Sequence, residues 1–121
     1  MNGDVIRLQF PARPDYILAV RLAVSAVAQR VGFDIEDIED IKVASAEACT
    51  LLLSAGPEQI SVSISVEQGL VLDFESTGGA PGDIDEDSQG MSQYLLDALV
   101  DSCEIEKDGG AAKIVRLKKT L

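Results

Sequence analysis

The chain has 121 residues, 46% of them hydrophobic, and carries 21 acidic against 10 basic side chains for a formal net charge of -11. That length suits one domain around one core, and the apolar share argues against disorder. The charge argues against nucleic-acid phosphate or an anionic membrane as main partner. The lack of any His removes imidazole triads, His-ligated zinc and histidine phosphotransfer.

Val5 to Phe10 alternates, with Ile6, Leu8 and Phe10 on one side, and predicts a half-buried strand ended by Pro11 and Pro14. Tyr16 to Val31 then predicts a helix whose stripe is Ile17, Val20, Val24, Val27 and Val31, stopped by Gly32. Asp34 is a natural N-cap for a second helix. Glu36, Asp37, Glu39 and Asp40 load its first turns, and Ile38, Ile41, Ala44, Ala48 and Leu52 give it an apolar face to about Ser54. Ile60, Val62, Ile64 and Val66 alternate with serines and Glu67 in the clearest strand of the chain, and Gln68-Gly69 turns it into Leu70 to Glu75.

Ser76 to Gly90 is rich in glycine and acid and reads as a loop of about fifteen residues. Met91 to Val100 predicts a short helix. Cys103 to Lys107 and Ala112 to Lys118 predict a last hairpin around Asp108-Gly109-Gly110. Hairpins with helices segregated between them give an α+β class, a two-layer sandwich of a mostly antiparallel sheet with helices on one face. The whole of 1–121 reads as a single domain.

From Val43 to Glu106 there is no Lys or Arg, whereas five of the ten basic residues fall between Lys107 and Lys119. Cys49 and Cys103 lie in apolar contexts without metal spacing and read as two buried thiols of a reduced protein. With no basic leader and no apolar run long enough to span a bilayer, a cytoplasmic location is expected.

Glu47 stands out as the sole charge between Val43 and Ala55. It is either a proton acceptor beside a cavity or a member of an ordinary solvated helix face. The glycine-rich loop could approach phosphate, although its neighbours are acids, and a flexible surface loop is the plainer reading. A hard-cation site from Asp83, Asp85, Glu86 and Asp87 lacks EF-hand spacing.

Several segments, in this order, resemble the bacterial anti-sigma-factor serine kinases of the histidine-kinase-like (GHKL) ATPase superfamily. They are Phe10-Pro11-Ala12, Val20-Arg21-Leu22, Gly32-Phe33, Ile38 to Ala44, Glu47-Ala48-Cys49-Thr50, Gly90-Met91 with Tyr94-Leu95, Val100-Asp101 and Asp108-Gly109. The resemblance implies the Bergerat ATP-binding fold. It makes Glu47 the general base of a Glu-Ala-x-x-Asn box in which Leu51 replaces the Mg²⁺ ligand. It aligns Ser76 and Gly78 with the adenine-binding Asp-x-Gly-x-Gly box, leaving Ser76 for the aspartate and Ala80 for the second glycine. It reduces the later Gly-x-Gly pair to Gly90-Met91-Ser92. With these boxes altered, the expectation is a regulator that acts by protein binding, with ATP binding and kinase activity weak or lost and no cofactor. The alternative is an active kinase, using ATP and Mg²⁺, that phosphorylates an anti-sigma antagonist; a third possibility is a structural or dimerisation subunit. The implied partners are a sigma factor or a STAS-type antagonist, engaged partly through Arg21, and a homodimer is possible. For Arg21 the plainer reading is a surface ion pair with a neighbouring acid.

Overall fold

The computed structural model describes residues 1–79 and 86–121, with the backbone alone at 86–89. The order of elements is β1 (Val5–Pro11), α1 (Ile17–Val31), α2 (Ile35–Leu53), β2 (Gln59–Val66), β3 (Gly69–Thr77), α3 (Glu86–Leu99), β4 (Ser102–Asp108) and β5 (Ala111–Thr120).

Local chemistry sets the helix boundaries. Pro14 opens a 3₁₀ turn that feeds α1, and Gly32 ends α1 in the left-handed region at φ 111°, its N–H bonding the Ala28 carbonyl. Two residues on, Asp34 accepts the Asp37 backbone N–H at 2.8 Å and caps α2, a contact worth about 1 kcal/mol. Val20, Val24 and Ala28 form the fully buried edge of α1, with Ile17, Val27 and Val31 packed beside them. All five residues of the expected stripe thus reach the core, and Ala28 joins them.

All neighbouring strands pair antiparallel in the order β1-β2-β3-β5-β4. Ile60, Val62, Ile64 and Val66 from β2 face the core with Leu70, Leu72 and Phe74 from β3 and Val115 and Leu117 from β5. Helix α2 touches α1, α3, β3 and β5 and so forms the middle of the helical layer. The opposite face of the sheet carries Ser61, Ser63, Ser65, Asp73, Glu75 and Arg116, with Arg116 Nε 2.6 Å from Asp73 Oδ1 across the β3–β5 pair. That carboxylate holds the exposed Arg116 guanidinium above its ordinary pKa. The result is the two-layer α+β sandwich expected from the sequence.

Four expectations need correction. The loop expected over Ser76–Gly90 gives up Ser76 and Thr77 to β3, where Ser76 pairs with Ile60, and Glu86–Gly90 to α3. Helix α3 thus starts five residues before Met91 and ends at Leu99. Acidic residues suit a helical first turn, and the single Gly90 lowers helix propensity without ending it. Ile6 is substantially exposed, because β1 is an edge strand that the helical layer covers only toward Leu8 and Phe10. Cys103 is half-buried while Cys49 is fully buried, and both are free thiols. The proposed cation ligands Asp83 and Asp85 lie outside the described residues, as do the side chains of Glu86 and Asp87.

One side chain ties the layers together at the far end of the helices. Lys119 of β5 sends its ammonium 2.9 Å from the Leu99 carbonyl at the end of α3, and 3.5 and 3.9 Å from Asp37 and Asp40 on the first turns of α2. Beside it Asp101 accepts the Thr120 backbone N–H and hydroxyl, which hold its carboxyl below the ordinary value.

Candidate functional site

The helix α2 presents Glu47 half-buried on the side that meets α3. There the Ser92 hydroxyl, only 8% exposed, donates to Glu47 Oε1 at 2.7 Å. One helical turn further, Leu51 follows Glu47 on the same face, as an i, i+4 pair must. It is 5% exposed and belongs to the apolar core. Leu51 therefore presents only hydrocarbon at this position and no oxygen donor.

In the sheet, β3 delivers the buried Ser76, whose hydroxyl donates to the Lys113 backbone carbonyl at 3.3 Å. Ser76, Gly78 and Gly79 line a cleft of about 180 Å³ with Pro57 after α2 and with Asp108 and Lys113 of the last hairpin. Ligand-holding pockets usually measure about 300–1,000 Å³. Gly78 and Gly79 both have positive φ, at 77° and 76°. At Gly79 the close approach is severe: a Cβ there would stand 2.1 Å from the Gly56 carbonyl oxygen, so only glycine lets β3 run past the end of α2.

Gly90 sits in the second turn of α3, exposed, where an added Cβ would meet nothing within 4 Å. Neither it nor Glu47 nor Leu51 lines the cleft formed around Ser76 and Gly78. Glu47 and Leu51 are brought together with Ser92; the sequence pattern had marked Ser92 only as a lost glycine, and that substitution was the available signal for the contact. Arg21 is half-buried on α1, its Nε buried without a hydrogen-bond partner, and no acid pairs with it among the described residues. The surface ion pair, one of its two readings, is therefore absent among them. Burial pushes the Cys49 thiol up to about 12, which leaves it unsuited to nucleophilic work, and partial burial raises the Cys103 thiol as well. Among the described residues no three Cys, Asp or Glu side chains converge as a metal site, and no helix is long and apolar enough to cross a membrane.

Residues 10–119 match the histidine kinase-like ATPase domain. The chain belongs to that family. Within it, the chain is 31% identical to the serine-protein kinase RsbW of Bacillus velezensis over 88% of its own length and 81% of that protein's. It is 29% identical to RsbW of Bacillus subtilis, over 90% and 82%, and 31% identical to RsbW of Halalkalibacterium halodurans, over 88% and 78%. The fold is also that of the crystal structure of the RsbU and RsbW domains of Rv1364c from Mycobacterium tuberculosis, with a TM-score of 0.75 at 18% identity over 98% of this chain. This chain spans 32% of that longer one. This member of the histidine kinase-like ATPase family thus has the sheet and helical layer of that fold, with Glu47 and Ser92 in contact between α2 and α3.

Proposed function

We propose that this protein is an anti-sigma-factor-like regulator that works by holding a protein partner in the cytoplasm, with ATP binding and phosphoryl transfer weak or lost. The observation that carries the reading is Leu51. Magnesium demands oxygen donors in near-octahedral array, and a leucine that is 5% exposed in the core offers none. One oxygen of Glu47 already accepts from the Ser92 hydroxyl. Ser76 supplies a neutral hydroxyl, already donated to Lys113, where the family pattern has a carboxylate for the adenine amino group. Losing a charge-assisted hydrogen bond costs about 1.5–3 kcal/mol, roughly one to two decades of affinity. The residues present do not fit Mg²⁺-ATP, and no catalytic step is derived through it.

The partner side of the function rests on α1. Arg21 is half-buried on α1 and has no ion-pair partner among the described residues, and the family resemblance makes it a contact for a sigma factor or a STAS-type antagonist. A pull-down with wild type and Arg21→Glu tests this: the variant should lose the partner, and equal recovery would remove Arg21 from the interface.

Calorimetric titration with ATP and Mg²⁺ tests the nucleotide side. No saturable binding is expected up to millimolar nucleotide, and micromolar magnesium-dependent binding would overturn the reading. The second reading, an active serine kinase, is favoured by one observation: Glu47 is retained and stands 2.7 Å from a hydroxyl, within the reach a general base needs. It predicts phosphate transfer to a STAS-type antagonist that Glu47→Gln abolishes.

A further inference from the structure

A second concavity lies where α1 gives way to α2, and neither the glutamate nor the glycine segments take part in it. Its volume is about 730 Å³, and its lining includes Ser25, Gln29, Phe33, Ile35, Ile38 and Glu36. Phe33 is buried at its floor, Ile38 half-buried, and Ile35 is 81% exposed although it is a branched hydrocarbon at the first position of a helix. The apolar surface does not stop at the groove. Leu18 and Leu22 on α1 are 61% and 60% exposed, and with Ser25 and Gln29 they recur at intervals of four, three and four residues on one side of that helix. Leu18 to Gln29 covers about 16 Å, some three helical turns.

The rim is negative. Asp34, Glu36 and Glu39 all line the groove. Among the described residues Asp34 and Glu36 have no ion-pair partner, while Glu39 meets Lys42 at 3.0 Å. The other carboxylates of these turns, Asp37 and Asp40, are turned to Lys119. A second copy of this chain would bring a further net charge of -11 toward that rim, which like-charge repulsion disfavours.

We propose that this groove, with the Leu18–Leu22 stripe leading into it, is a docking site for a cationic amphipathic helix of a protein partner. Its aliphatic side chains seat on Leu18, Leu22, Phe33 and Ile35, and its Lys or Arg heads reach Asp34 and Glu36. The stripe matches a helix of about three turns read through residues at three- and four-residue spacing. The proposal rests on the partner-binding reading above; the nucleotide titration and the Arg21 pull-down test that reading by other means, so each can fail separately.

The experiment is fluorescence anisotropy of a dansylated Leu/Lys peptide of about four helical turns, titrated with the full chain at low and high salt. A Leu/Glu peptide of the same pattern and a Leu/Lys peptide with its apolar stripe scrambled accompany it. The patterned Leu/Lys peptide should bind saturably and more weakly at high salt. Ile35→Ser and Glu36→Lys should each weaken it about tenfold, while Tyr94→Ser on α3 leaves it unchanged. Ile35 is so exposed that its variant keeps the core intact, which circular dichroism verifies. Equal binding of the scrambled peptide, or Ile35→Ser within about twofold of wild type, would mean diffuse charge attraction and overturn the proposal. So would sedimentation showing a homodimer that Ile35→Ser dissolves, since the groove would then hold a second copy.

Discussion

The Ser92–Glu47 contact joins residues 45 apart in sequence and can be measured as a coupling energy. The perturbation is a double-mutant cycle of Ser92→Ala, Glu47→Ala and the pair. A hydrogen bond to a charged group contributes about 1.5–3 kcal/mol when desolvated. Ser92 is almost fully buried but Glu47 is only half so, which puts the coupling near the lower end, about 1.5 kcal/mol. With a urea slope of about 1.5–3 kcal/mol/M, that is about 0.5–1 M in the midpoint beyond what the single variants predict. Urea unfolding followed by far-ultraviolet circular dichroism measures it, because the chain has no Trp to report by fluorescence. A coupling below about 0.3 kcal/mol, the usual additivity error, would refute the claim that Ser92 engages Glu47 and with it one support of the non-catalytic reading.

Lys119→Met removes an ammonium from the Leu99 carbonyl, and the side chain is 14% exposed, so a loss of about 2 kcal/mol is expected. Lys118→Met on the exposed neighbour should cost under about 0.5 kcal/mol, and equal losses in thermal melts would deny Lys119 a special role. Asp101 is held below its ordinary 3.8 by Thr120, so the stability it contributes is present above the unfolded value and is lost as pH falls through the folded one. The advantage of wild type over Asp101→Asn in urea midpoints should accordingly be full at pH 6 and shrink below about pH 4; an advantage that grew on acidification would reverse the sign. With its thiol near 12, Cys49 is thiolate in roughly one molecule in ten thousand at pH 8. A disulfide-exchange reagent should therefore modify Cys103 in the folded protein and Cys49 only after urea is added.

Period and punctuation carried most of the fold. The alternation of Ile60 to Val66 marks a strand with one wet face, and Gly32 followed by Asp34 marks both the end of one helix and the cap of the next. The start of α3 was hidden because glycine and acid are the residue types of loops as well as of helix entrances, and composition alone does not separate the two. The candidate site was marked by residue type alone: Glu47 stood out as a lone charge, yet nothing local says that Ser92 would reach its carboxylate. Lys119 was visible only as part of a basic cluster, although its role depends on two helix ends that arrive from distant parts of the chain. The groove beside Ile35 was likewise invisible, since a concavity between two helices has no signature in either one.

The two margins of the sheet are unlike, and this sets what the fold does when strands meet. The β4 margin carries Glu104, Glu106, Lys107 and Asp108 and a bulge between Glu106 and Lys107, devices that turn away an incoming strand. The β1 margin begins with exposed Val5 and Ile6 and has no such irregularity. A strand arriving at the sheet therefore meets fewer obstacles beside β1, whose devices are Arg7 and Pro11, than beside β4.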